Sequence, residues 1–392
     1  MSKNLLFIPG PVTVSQTVLA ACAQPLIDHR GPQFKAILER IAARMRPIFG
    51  TVSADVVVLG ASGTGGLEAA VGNLFGPGDR VLACPIGVFG QRLVAIARGF
   101  GCEVDVLETA WGAALDPDAL RQRIAERARA SYDGVLLTHN ETSTGAQNDM
   151  AAIAAALRGC DAFTVVDSVS GLAASPFAMD EWGFDVVVTA SQKALAAPPG
   201  LAMVAVAPRA WARIAANTRT PRFYFDLTKA RDFGALGQTP WTPPVSIAFA
   251  LDAALDDFER TGAEAVHTRH VRYASAVRAA ADALGLDVFS RPGAHSPTVV
   301  AIALPDGIDG DAIRTSLRET RGVIVGGGQL ALKGKIIRIG TMGDLSQADI
   351  VGALGALEIA LLEAGARLPA GAGVQAALRV FQDADRGAPV QV

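Results

Sequence analysis

The chain has 392 residues, with 35 basic and 38 acidic side chains and a formal net charge of −3; half of it is apolar and 19% is charged. That balance excludes disorder over most of the length and gives no general field for nucleic acid or an anionic membrane. No apolar run reaches the roughly 18 residues of a membrane span, and about 150 residues per domain predicts two or three domains.

The opening MSKNLLFIPGP has one lysine and an apolar run cut by Pro9, too short for a secretory core, and the closing APVQV carries no lipidation signal. A cytoplasmic location is expected. Residues 1–20 read as an N-terminal arm. From about 55 to 207, short β-branched runs alternate with helical stretches. The expected strands are Asp55–Leu59, Arg80–Cys84, Glu103–Leu107, Gly134–Thr138, Phe163–Asp167, Asp185–Thr189 and Ala202–Val206. Continuous apolar runs of this length suit strands covered on both faces, and the alternation predicts an α/β domain over 21–260 with a mostly parallel seven-stranded sheet. A helix is expected over Met150–Arg158, after the capping pair Asn148-Asp149. Residues 208–245 read as irregular, with Pro221, Pro240, Pro243 and Pro244 among aromatics. A long helix follows from Val245. A smaller α/β domain is expected over 261–392, with strands at Thr298–Ala303, Val323–Val325 and Ile336–Ile339.

Four segments carry chemistry. Gly60-Ala-Ser-Gly-Thr-Gly-Gly66 lies between a strand and a helix, where free N–H groups and the helix dipole favour an anion. Its glycine spacing fits neither the dinucleotide fingerprint nor the phosphate-lysine loop, and a capped turn also accounts for it. Asp167 ends an apolar strand, where a carboxylate needs a partner; a ligand nitrogen and a local cap both satisfy that need. Lys193 is the only lysine between residues 36 and 228 and sits among small and apolar residues. Desolvation there favours the neutral amine, the form that condenses with a carbonyl. Arg338 lies inside an apolar strand and needs a carboxylate, from a ligand or from the chain itself. The four cysteines (Cys22, Cys84, Cys102, Cys160) are widely spaced and read as mostly buried thiols rather than disulfides or metal ligands, so no metal is expected.

At these residues the chain resembles the fold-type I pyridoxal-phosphate enzymes, in the class V aminotransferase group of serine–, alanine– and aspartate–glyoxylate aminotransferases. The segments that carry the likeness include FIPGPV at 7–12, ASGTGGLEAA at 61–70, THNETSTG at 138–145, VDSVSGL at 166–172, SQKALAAPPG at 191–200 and KIIRIGTMG at 335–343. PRFYFDL at 221–227 and TPWTPPVS at 239–246 also resemble pyridoxamine–pyruvate aminotransferase. The resemblance implies pyridoxal 5'-phosphate held as a Schiff base on Lys193. It implies that Asp167 pairs with the ring nitrogen, that Val169 and Phe89 flank the ring, and that Thr142 lies near the ring hydroxyl. Ser62, Gly63, Thr64 and Gln192 would hold the phosphate, and Thr242 would reach the phosphate of a partner subunit in a homodimer with shared sites. Arg338 would bind the substrate α-carboxylate, with His29 and Arg30 as candidates for the donor side chain.

The implied reaction moves an amino group from serine, alanine or aspartate to glyoxylate or pyruvate by a ping-pong route. Pyridoxamine–pyruvate transfer and a lyase on the same fold are the alternatives. Ser62 stands where the pyridoxamine enzyme has Glu, which favours a tightly held cofactor. Thr64 stands where alanine–glyoxylate enzymes commonly have His.

Overall fold

A strand that is apolar on both faces must be covered on both. In the computed structural model, which describes residues 5–126 and 131–386, the seven expected runs form one sheet. Lys3 and the APVQV segment lie outside the described residues. Across the sheet the strands run Asp55–Gly60, Leu201–Val206, Val186–Ala190, Phe163–Asp167, Gly134–Thr138, Arg80–Cys84 and Glu103–Val106. Leu201–Val206 is antiparallel to both neighbours, and the remaining pairs are parallel. The pleat sends alternate residues to opposite sides. Leu82, Val135, Leu137 and Val166 join one buried cluster, and Val81, Ala83, Leu136 and Val165 join another. Each face is thus sealed, and ligand chemistry is left to the loops at the carboxyl ends of the parallel strands.

Helix starts follow side-chain caps. Ser62 accepts from the Gly65 N–H at the start of Gly63–Leu74, and Asp149 accepts from the Ala152 N–H at the start of Met150–Ala156. Residues 208–245 differ from expectation, because helices Pro208–Ala216 and Leu227–Ala235 lie within them. Pro208 occupies the first turn, where its missing N–H costs nothing, and Asp226 caps the second helix. The irregular reading holds for 217–226 and 236–244. Helix Val245–Thr261 forms as expected and ends at Gly262.

The C-terminal strands Val299–Ala303, Val323–Gly327 and Ile336–Gly340 build a second sheet. Its fourth member is Leu5–Phe7, which pairs in parallel with Val323–Val325. The N-terminal segment is therefore not only an arm: its apolar Leu-Leu-Phe run completes the edge of the small sheet. Phe7 is fully buried in that sheet's core. Replacing Phe7 by Ala is expected to cost about 3–5 kcal/mol, seen as a lowered urea midpoint for the C-terminal core.

Candidate active site

Five loops at the carboxyl ends of parallel strands bring the sequence candidates together. The loop after Asp55–Gly60 carries Ser62, Gly63 and Thr64, and that after Arg80–Cys84 leads to Phe89. The loop after Gly134–Thr138 carries Thr142, and Asp167 is the last residue of its strand, followed by Val169. Gln192 and Lys193 follow Val186–Ala190.

Asp167 is buried, and its Oδ1 accepts the Val169 N–H at 3.0 Å. Burial pushes its carboxyl up to about 7, with Glu141 adding to the rise and the Val169 bond and Lys193 opposing it. Behind it, the His139 N–H donates to the Asp167 carbonyl at 2.8 Å, and His139 Nδ1 lies 2.8 Å from Ser168 Oγ. The imidazole is buried, which lowers it to about 4 and keeps it neutral at ordinary pH.

Lys193 Nζ donates to the Pro9 carbonyl at 2.5 Å. Burial brings the amine down to about 8; Asp167 opposes that fall, whereas Arg338 and Arg92 reinforce it. The approach of the N-terminal segment depends on Gly10, whose φ is +112° and whose place would set a Cβ 2.6 Å from Lys193 Cδ. Gly63 is likewise required, since a Cβ there would stand 2.8 Å from Val169 Cγ2.

Arg338 comes from the small sheet and is buried. Its Nε donates to the Gly327 carbonyl and its Nη1 to the Thr142 carbonyl, both at 2.8 Å. Both partners are neutral, and no carboxylate among the described residues pairs with it. Desolvation lowers the guanidinium to about 10, with the Glu141 charge opposing that fall and Arg314 adding to it, so no direct ion pair offsets the burial. A ligand carboxylate would supply that pair.

Other candidates sit at the margin. Thr242 is exposed on a segment where Trp241 stacks on Phe223 at 4.7 Å and the Tyr224 hydroxyl donates to the Gly60 carbonyl at 3.2 Å. Arg30 is exposed, donates to Gln238 Oε1 at 2.8 Å and lies over the Phe233 ring, rather than joining Lys193 and Asp167. His29 is partly buried beside it.

Three residues of the site escaped the sequence reading. Glu141 is fully buried and accepts from the Phe89, Gly90 and Ser143 N–H groups and from the Ser143 hydroxyl, at 2.7–3.1 Å. It thereby caps helix Val88–Gly99 from outside that helix. Arg92 lies on the same helix as Phe89, and Pro9 supplies the carbonyl at Lys193. Arg92 follows Phe89 by three residues, a helical spacing that could have revealed it. Pro9 lies in the FIPGPV segment, but nothing local marks its carbonyl as the partner of Lys193.

The chain belongs to the class V aminotransferases: the family profile, Aminotransferase class-V, matches residues 16–349. It is 38% identical to the soluble hydrogenase 42 kDa subunit of Anabaena cylindrica, over 97% of this chain and 99% of that one. It is 37% identical to the L-aspartate–glyoxylate aminotransferase of Paracoccus denitrificans, over 96% of each. The crystal structure of pyridoxamine–pyruvate aminotransferase from Mesorhizobium loti superposes with a TM-score of 0.91 at 32% identity, covering 97% of each chain. The protein is thus a fold-type I aminotransferase whose cofactor is pyridoxal phosphate. The donor set fits that cofactor: an amine lowered to about 8, a buried carboxyl electrostatically coupled to it, and a helix start at which the Ser62 side chain takes up only one of the first-turn N–H groups. Among the described residues, no group of three or more His, Cys, Asp or Glu is placed to hold a metal ion.

The cofactor-free protein offers a test of the Asp167 environment. Its folded carboxyl titrates near 7 against 3.8 when exposed, so its stabilising contribution is complete below about pH 4 and is lost as pH rises through 7. Replacing Asp167 by Asn keeps an acceptor for Val169 and removes the charge. Relative to that variant, the parent protein is expected to lose up to about 4 kcal/mol across this window, read from unfolding midpoints at each pH.

Proposed function

We propose that this aminotransferase moves the amino group of a small amino acid (serine, alanine or aspartate) to glyoxylate or pyruvate in a ping-pong cycle. The observation that carries the reading is Arg338: a buried guanidinium with no ion pair among the described residues, electrostatically coupled to Lys193. Every amino acid and 2-oxo acid presents the α-carboxylate that Arg338 lacks, and its planar fork suits that group.

Pyridoxal phosphate, when bound, supplies an electron sink for the charge left at Cα. The chain supplies the rest. Lys193 Nζ is the group for the carbonyl of the cofactor and, once freed, for taking and returning the Cα proton; an amine near 8 suits both tasks at neutral pH. Asp167 holds the proton on the ring nitrogen, and a cation there would draw its carboxyl back to the ionised form. Val169 and Phe89 would flank the ring, Thr142 would lie beside it, and Ser62, Gly63, Thr64 and Gln192 would hold the phosphate. His29 and Arg30 would meet the donor side chain only from the margin, with Arg30 leaving its contacts to Gln238 and Phe233.

We infer a homodimer with shared sites from the surface. Phe223 and Tyr224, 70% and 48% exposed, stack on Trp241 and together present aromatic surface that a partner would cover. Exposed Thr242 follows Trp241 in the chain, which suits a contact with the partner's cofactor. The likeness to aspartate–glyoxylate and pyridoxamine–pyruvate enzymes supports the acceptor class. A desulfurase is disfavoured because burial pushes the Cys84 thiol up to about 12 and Cys102 up to about 11, while half-buried Cys160 precedes the start of the strand that ends at Asp167 and half-buried Cys22 ends helix Gln16–Cys22.

The test is a screen of holoenzyme with serine, alanine, aspartate and pyridoxamine as donors against glyoxylate and pyruvate. Amino transfer to at least one oxo acid is expected; elimination or decarboxylation products without transfer would overturn the reading. Replacing Lys193 by Ala is expected to abolish turnover and the visible absorbance of the holoenzyme. Replacing Arg338 by Gln should raise KM for both amino acid and oxo acid by roughly 10- to 100-fold, the worth of a lost charged hydrogen bond, with the absorbance retained.

A further inference from the structure

The loop at 62–64 has donors but little charge. A phosphate monoester carries about −1.5 to −2 at neutral pH, and a helix N-terminus offers roughly half a positive charge. Ser62, Thr64 and Gln192 are neutral, and Lys193 is committed to the carbonyl. The charge has to come from elsewhere.

Arg92 supplies the candidate. It stands three residues after Phe89 on helix Val88–Gly99, so the two side chains share a face. Its guanidinium carbon lies 4.6 Å from the centre of the Phe89 ring. Its Nη1 donates to Thr64 Oγ1 at 3.0 Å. No carboxylate among the described residues forms an ion pair with it. Its charge reaches the pocket, where it favours neutral Lys193 and ionised Asp167. One donor of the fork is taken by Thr64, and the others remain for an anion.

We propose that Arg92 is the counter-charge of the cofactor phosphate, bracing the cradle through Thr64 while its flat face rests on Phe89. This rests on the reading of Ser62, Gly63 and Thr64 as that cradle. Stacking and the fork both need a planar cation, so lysine would replace only the charge.

The experiment compares binding of pyridoxal phosphate and of phosphate-free pyridoxal to the cofactor-free protein, with inorganic phosphate as competitor. Arg92→Gln is expected to weaken pyridoxal phosphate by about 10- to 100-fold, the scale of charge-assisted hydrogen bonds, and pyridoxal by less than about threefold. Inorganic phosphate should also lose its competition. Equal weakening of both aldehydes would overturn the proposal, since Arg92 would then only support the Phe89 ring. Ser62→Ala and Thr64→Ala separate the two readings. If they lower the preference for the phosphorylated aldehyde and Arg92→Gln does not, Arg92 alone is misassigned. If they leave it unchanged, the cradle is misassigned and the proposal falls with it. Arg92→Lys, expected to fall between parent and Gln, carries the same comparison should the Gln variant not fold.

Discussion

The site depends on keeping an amine and a carboxyl in one dry space without letting either settle into an ordinary ion pair. Lys193 and Asp167 shift toward each other's titration range, the amine down to about 8 and the acid up to about 7. Burial does this to both, and their mutual attraction only partly offsets it. Each then responds strongly to a ligand that brings charge. The sheet makes the arrangement possible, because the strand ending at Asp167 and the strand preceding Lys193 are parallel neighbours and present their ends on the same side.

Around that pair the surrounding groups are neutral or backbone. Pro9 and Thr142 offer carbonyls, His139 is held neutral, and Ser168 and Ser143 offer hydroxyls. The exceptions are Arg338, Arg92 and Glu141. Among the described residues, Arg338 bonds to two carbonyls and forms no ion pair; Glu141 accepts from four donors; Arg92 meets the Thr64 hydroxyl and the Phe89 ring. Two guanidiniums without a direct ion pair among the described residues suit an anionic load at two points. That agrees with a cofactor carrying a phosphate and a substrate carrying a carboxylate.

Much of this was legible in the residues. Strands such as Phe163–Asp167 and Gly134–Thr138 were found to the residue, because a doubly covered strand is a continuous apolar run and little else in a soluble core looks like it. Asp167, Lys193 and Arg338 stood out because each puts a charge where composition forbids one. What stayed hidden depends on distance through space. The small sheet's edge at Leu5–Phe7 is paired by residues more than 300 positions later, and three apolar residues carry no sign of their partner. The helices Pro208–Ala216 and Leu227–Ala235 fall in a stretch that Pro221, Pro240, Pro243 and Pro244 make look irregular, yet all four prolines lie outside both helices. Glu141 looked like one more polar residue in a turn; its full burial is a tertiary fact.

The path of the N-terminal segment has a mechanical side. Leu5–Phe7 is stitched to Val323–Val325, and two residues later the Pro9 carbonyl receives the Lys193 amine. Arg338 belongs to the strand beside Val323–Gly327. The carbonyl that receives the Lys193 amine and the Arg338 guanidinium are therefore mounted on one frame. Any rocking of that frame over the large sheet would carry both along, so the contact at Lys193 and the place of Arg338 are mechanically linked.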